Sequence, residues 1–152
     1  MAIYHFSVKT ISRGAGRSAV ACSAYCSGEK LIDERQGKEQ DYTRKTGVEF
    51  TKIYAPENTN PELLDRNQLW NTVEKVERRK DANLAREFEI AFPHELNAEQ
   101  RQSMLNEICQ ELVKRHGVVV DAAIHAPHTQ SGSDERNYHA HIMFTGRQTD
   151  LE

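Results

Sequence analysis

Two strand-like runs near the end of the chain constrain its fold more than any other feature. Residues 118–125 (VVVDAAIH) are almost entirely apolar, and residues 138–144 (YHAHIMF) place their side chains alternately on two faces. The loop between them, residues 126–137, is too short for a crossover helix. The two runs are therefore predicted to form an antiparallel hairpin.

Three histidines are placed by this hairpin. His139 and His141 stand at positions i and i+2 of one strand, so both imidazoles point to the same face. His125 ends the partner strand, and pairing of the two strands would bring the three rings together. Three neutral imidazoles on rigid strands form an open site for a divalent metal. The pattern by itself leaves open a half-exposed polar face without a metal.

The rest of the sequence predicts a β-α-β-α-β-α-β-β order. Ser18, Asp65 and Asn97 are suited to cap three helices, and Gly117 is suited to end the third. Residues 28–48 are polar with three glycines, which predicts a long loop. We expect one α+β domain, a two-layer sandwich with a mostly antiparallel central sheet and helices on one face. The other strands are predicted at residues 3–10, 48–54 and 84–92.

Two carboxylates and a tyrosine are candidates for chemistry at this site. In the strand 84–92, Glu87 and Glu89 share the face opposite Phe88 and Ile90. A carboxylate beside the histidines could orient a ligand imidazole or act as a general base; a solvated strand face is the alternative. Tyr25, on a helix of small residues, could attack a phosphorus atom or simply belong to the core.

Composition sets wider limits. The 152 residues are 38% hydrophobic and 28% charged, with a mean hydropathy of −0.75, as in soluble globular domains. The sequence contains neither a signal-peptide pattern nor an apolar run of membrane-spanning length, so we expect a cytoplasmic protein without membrane insertion. The three cysteines are predicted to be reduced.

The charge is unevenly distributed. A net charge of −3 argues against a general nucleic-acid binder. Residues 1–30, however, carry four basic residues against one acidic residue, and residues 75–86 carry five against two. These segments could hold a DNA backbone, or they could be solvated surfaces.

Several motifs together resemble one family. The resemblance to the MobA/MobL plasmid mobilisation relaxases covers nearly the whole chain, with the motifs in the same order. The matching segments are residues 1–6 (MAIYHF), 16–19 (GRSA), 23–25 (SAY), 86–93 (REFEIAFP), and His125 with residues 137–141 (NYHAH).

The resemblance implies a function and a role for each motif. Relaxases of this HUH class are metal-dependent transesterases that nick one strand at a plasmid transfer origin and can rejoin it. Tyr25 falls on the nucleophile that becomes linked to the 5′ phosphate, and Glu87 and Glu89 fall on the acidic motif. His125, His139 and His141 fall on the ligands of a Mn²⁺ or Mg²⁺ ion. The candidates for DNA contact are Lys9, Arg13, Arg17, Ser18 and Arg86.

The same resemblance implies which partners the protein binds and how far the relaxase domain extends along the sequence. We expect single-stranded transfer-origin DNA, accessory mobilisation proteins and a coupling protein as partners. The family normally continues past the last histidine strand, so a relaxase domain over residues 1–152 is expected to be cut short at its C-terminus. Tyr138 stands where the family usually has proline, and the roles of His128 and His5 stay open.

Two alternative functions remain. A rolling-circle replication initiator of the same class would use the same chemistry, although its tyrosine usually follows the histidine motif. A non-catalytic, metal-stabilised DNA-binding module is a different kind of protein. In it, Cys22 and Cys26, one helical turn apart, could join the histidines in a structural zinc site.

Overall fold

A five-stranded antiparallel sheet with the order β1-β5-β7-β6-β4 forms the centre of the fold. The computed structural model describes residues 6–127 and 138–146. The strands are β1 (Phe6–Ser12), β2 (Lys30–Asp33), β3 (Lys38–Asp41), β4 (Val48–Tyr54), β5 (Asn83–Ala91), β6 (Val120–His125) and β7 (His139–Thr145). The helices are α1 (Ala19–Ser27), α2 (Arg66–Val76) and α3 (Ala98–His116), with short 3-10 turns at Arg13–Ala15 and Pro61–Leu64.

The predicted helix boundaries are confirmed by their caps. The Ser18 hydroxyl accepts a hydrogen bond from the Ala21 N–H, and the Asp65 carboxylate accepts one from the Asn67 N–H. Asn97 and Gln100 form a reciprocal capping box at the start of α3. Gly117 ends α3 with a φ of 64°, a conformation that favours glycine.

The predicted long loop at residues 28–48 is instead a hairpin. Strands β2 and β3 pair antiparallel and turn at Gly37, which has a φ of 62°. Side-chain bonds from α2 hold the hairpin, because Asn67 accepts from the Ile32 N–H and Asn71 donates to the Ile32 carbonyl. The polar composition suggested a loop, since the α2 side chains that bond to the Ile32 backbone lie 35 and 39 positions away in sequence.

The α+β class and the antiparallel sheet are confirmed, but the helices do not lie on one face. Helices α1 and α2 pack against Ala123 and Met143, whereas α3 packs against Ile124 and Ile142. Adjacent residues of a strand face opposite sides, so helices cover both faces of the sheet. The two-layer prediction is therefore wrong, because both faces of β6 are apolar enough to be buried.

None of the helices in the parts of the chain that the structure describes combines the length and apolar character needed to cross a bilayer.

Candidate active site

The histidines of the hairpin lie together on the sheet face that α1 also covers. In the pairing of β6 with β7, His125 stands opposite His139. The rings of His125 and His141 lie 4.3 Å apart between centroids. The predicted antiparallel pairing is thereby confirmed: its register sets His139 opposite His125 on the backbone, and the rings of His125 and His141 are neighbours.

Two of the rings have fixed orientations. His125 Nε2 donates to the carbonyl oxygen of Cys26 over 2.7 Å, which ties the end of β6 to the end of α1. His141 Nδ1 lies 3.0 Å from Glu87 Oε2 and 3.8 Å from Glu89 Oε1. A neutral imidazole that donates from one nitrogen carries its lone pair on the other. The lone pairs are then on Nδ1 of His125 and Nε2 of His141.

Glu87 is a buried carboxylate held in its ionised form. Burial opposes its charge, but the hydrogen bond from His141 and the positive charges of Lys9 and Arg17 outweigh burial and lower the pKa of Glu87. Glu89 is more open, with 24% of its side chain exposed, and pairs with Lys9 at 3.8 Å. Both carboxylates lie on the histidine face, as the alternation of β5 predicted.

Tyr25 lies at the surface of the same site. The residue is 49% exposed, although it belongs to a helix whose other faces are largely buried. The Tyr42 ring meets it edge-on at 5.5 Å between centroids. The Lys45 ammonium lies 3.5 Å from the centroid of the Tyr25 ring.

One pocket of about 400 Å³ brings most of the candidate residues together. Seven predicted site residues line it: Lys9, Arg17, Ser18, Tyr25, Glu87, Glu89 and His141. The tyrosine, the carboxylates and an imidazole therefore open onto the same space.

Three of the residues predicted to bind DNA donate side-chain hydrogen bonds to other groups of the protein. The Arg13 guanidinium donates to the carbonyl oxygens of Glu74, Glu77 and Arg79, and its side chain is 8% exposed. The buried Ser18 hydroxyl donates to Asp33 over 2.6 Å. Arg17 donates to Cys22 Sγ over 3.1 Å at the pocket wall.

Arg86 lies elsewhere. It follows Ala85 on β5 and lines a separate groove with Phe88 and Phe144, away from Tyr25. Arg13 and Arg86 are thus outside the pocket that holds the tyrosine. His5 and His128 fall outside the described residues.

Sequence reasoning missed Lys45, and it placed Cys26 near the histidines only in the alternative structural zinc site. Cys26, Glu87 and His141 each offer a donor atom, and these atoms lie within 4.8 Å of one another. The i, i+4 spacing of Cys22 and Cys26 was the available signal, but Glu87 was not expected to join them. Lys45 gave no signal, because it belongs to the segment that was predicted to be a loop.

Comparison with known proteins identifies the family. The profile of the MobA/MobL family matches residues 17–152, and the chain belongs to this family. It is 44% identical over 152 residues to mobilization protein MobL of Acidithiobacillus ferridurans, covering 97% of this chain and 39% of that protein. It is 35% identical over 150 residues to the probable mobilization protein MobA of Bifidobacterium longum, covering 99% of this chain and 26% of that protein.

A solved structure supports the fold. A chain from the work described as "Molecular Basis of Vancomycin Resistance Transfer in Staphylococcus aureus" superposes with a TM-score of 0.84 at 33% identity. The match covers 95% of this chain and 70% of that chain. The chain spans about two fifths or less of the two curated relatives compared above.

Proposed function

We propose that this chain is the relaxase domain of a mobilisation protein. It would nick one DNA strand at a specific site of a plasmid transfer origin, through a covalent 5′-phosphotyrosine, and could rejoin that strand. Family membership supports the role in mobilisation. The observation that carries the mechanism is the half-exposed Tyr25 lining one pocket with Glu87, Glu89 and His141.

Tyr25 is the proposed nucleophile. Its phenol oxygen attacks the scissile phosphorus, a P–O bond to tyrosine forms, and the bond to the 3′ oxygen breaks. The phenol proton passes to Glu89, the more open carboxylate of the pocket, and the departing 3′ oxygen takes a proton from water. The reverse attack by the 3′ hydroxyl restores the strand, so the cut needs no external energy source.

The donor set fits a divalent cation. His125, His139 and His141 are the proposed ligands, and Glu87 orients His141 through its Nδ1 proton. A bound Mn²⁺ or Mg²⁺ would neutralise charge on the nonbridging phosphate oxygens. Imidazoles favour the softer Mn²⁺, while Mg²⁺ prefers oxygen ligands. Cys26, the buried thiol close to Glu87 and His141, favours a softer ion still.

The cations of the pocket are the proposed DNA contacts. Lys9 and Arg17 line the same space as Tyr25, so either can meet a phosphate next to the scissile bond. Ser18 also lines the pocket but donates its hydroxyl proton to Asp33. Contacts from Arg13 and Arg86 stay predictions, since both lie outside the pocket. The larger assembly would add accessory mobilisation proteins and a coupling protein in the cytoplasm.

A metal-stabilised DNA-binding module is the second candidate. The Cys26, Glu87 and His141 donors favour it, because thiolate and imidazole ligands are typical of structural zinc. Removal of a structural metal unfolds the domain, whereas removal of a catalytic metal affects activity more than fold. A thermal melt with and without EDTA therefore separates the two candidates.

The decisive experiment is a covalent-adduct assay. The protein is incubated with Mn²⁺ and labelled single-stranded oligonucleotides tiled across the transfer origin of its own plasmid, then run on a denaturing gel. We expect a shifted protein–DNA band that is absent with EDTA and in Tyr25→Phe. Tyr54→Phe is the matched control, because Tyr54 lies on β4 outside the pocket and bonds to Asn106. An adduct that persists in Tyr25→Phe would contradict the proposal.

A further inference from the structure

Lys45 makes an unusual contact with the tyrosine. Its ammonium nitrogen lies 3.5 Å from the centroid of the Tyr25 ring. That nitrogen is buried and has no hydrogen-bond partner within the described parts of the chain. Burial also lowers the pKa of Lys45 below its usual value. The aromatic face is therefore the main group that compensates this charge.

A tight turn places Lys45 there. The Lys45 N–H donates to the Tyr42 carbonyl over 2.9 Å, and the Tyr42 N–H donates to the Glu29 carbonyl just beyond α1. The same turn sets the Tyr42 ring edge-on against Tyr25. The turn thus holds the tyrosine from two directions, with a ring edge from Tyr42 and a charge from Lys45.

We propose that Lys45 is a positioning residue for Tyr25, which fixes the ring and stabilises negative charge on it. This inference rests on the proposed function. The charge of a phenolate spreads into its ring, so an ammonium over the ring stabilises the ionised form more than the neutral form. During rejoining, the 3′ oxygen attacks phosphorus and the bond to tyrosine breaks. The bonding electrons then move to the phenol oxygen, beside Lys45.

If Lys45 has this role, its loss affects the rate of cleavage and the rate of rejoining. Lys45 stabilises the negative charge that develops on the ring as the phenol proton passes to Glu89 and that reappears when tyrosine leaves. Loss of the ammonium should slow cleavage and rejoining together, while binding of the DNA strand should change little. A residue with a purely structural role would instead reduce the folded fraction without changing the rate of the folded enzyme.

The test compares two substitutions. Lys45→Met keeps an unbranched side chain of similar length but removes the charge, and Lys45→Arg keeps the charge. Lys52→Met is the matched control, because Lys52 lies 5.0 Å over the Tyr54 ring, outside the pocket. Rates of adduct formation and rejoining are measured at saturating oligonucleotide, and affinity is measured by fluorescence anisotropy. We expect Lys45→Met to slow both rates about tenfold with affinity unchanged, as one desolvated cation–π contact allows. Lys45→Arg should restore most of the rate, and Lys52→Met should match the wild type.

The outcomes separate the inference from the proposed function. No wild-type adduct with any oligonucleotide would contradict the proposed function and the role of Lys45 with it. A wild-type adduct that forms and rejoins at the same rates in Lys45→Met would overturn the inference alone. A DNA-free double-mutant cycle with Tyr25→Ala measures the contact itself by urea unfolding. Lys45→Met should shift the urea midpoint less in Tyr25→Ala than in the wild type, and equal shifts would contradict the contact.

Discussion

The Ser23 hydroxyl donates to Asp121 Oδ2 over 2.6 Å, and this bond joins the helix that carries Tyr25 to the strand that ends in His125. Asp121 also accepts from Trp70 Nε1 over 2.8 Å and from Arg66 Nε over 2.8 Å. One buried carboxylate therefore connects α1, α2 and β6. The distance between the proposed nucleophile and the histidines depends on this connection.

Asp121→Ala should destabilise the domain strongly. It would leave the Arg66 guanidinium, 9% exposed, without its buried partner, and such losses cost about 3–5 kcal/mol. The measurement is the free energy of unfolding in urea. Glu111→Ala removes an exposed pair with Arg115 on α3 and should cost roughly 0.5 kcal/mol or less. Equal effects of the two substitutions would show that the buried network does not support the fold.

Glu87→Gln should weaken metal binding. The carboxylate accepts from His141 Nδ1 and keeps the lone pair of that ring on the other nitrogen. Loss of such an orienting group typically costs about 10–100-fold in affinity. Titration calorimetry with Mn²⁺ gives the dissociation constant. Glu89→Gln, 3.8 Å from the same nitrogen, should have a smaller effect; the reverse order would contradict the assigned role of Glu87.

Arg17→Ala should reduce the salt dependence of DNA binding. Each phosphate contact that is lost lowers the slope of log affinity against log salt by about 0.7 for a single strand. Fluorescence anisotropy between low and moderate salt measures the slope. Arg115→Ala, on α3 at the other face of the sheet, is the control and should leave the slope unchanged. A slope unaffected by Arg17→Ala would place the DNA outside this pocket.

The cysteines should react in the order of their exposure. Burial raises the pKa of Cys109 to about 12, and burial with the charge of Glu87 raises that of Cys26 well above normal. Burial also raises the pKa of Cys22, although Arg17 opposes this and the residue is only partly buried. Iodoacetamide and mass spectrometry should find Cys22 modified first in the native protein. Urea should remove the difference, and early modification of Cys109 in the native protein would contradict its burial.

Much of the fold followed from local patterns. Alternation in β5 and β7 predicted which side chains share a face, because successive residues of a strand point to opposite sides. The caps at Ser18, Asp65 and Asn97 predicted the helix starts, because their side chains satisfy backbone groups within the same turn. The same alternation predicts that the carboxylates and the histidines share one face of the sheet.

Other features depended on long-range contacts. The Cys26 carbonyl that orients His125 is 99 residues away in sequence, and no local pattern links them. The hairpin at residues 30–41 was missed because Asn67 and Asn71 of α2 satisfy its backbone. Arg13 was predicted to contact DNA from its charge alone, but the carbonyls that bind its guanidinium come from residues more than 60 positions later.

The sequence by itself determined the strands of the central sheet, the helix caps, the family resemblance and the face on which the histidines and glutamates lie. All of these depend on backbone periodicity and short-range hydrogen bonds. Only the tertiary structure decided that helices cover both faces, that Glu87 reaches His141, and that Lys45 lies on the Tyr25 ring. Those relationships depend on how separate elements pack, and packing is set by the burial of whole surfaces rather than by neighbours in sequence.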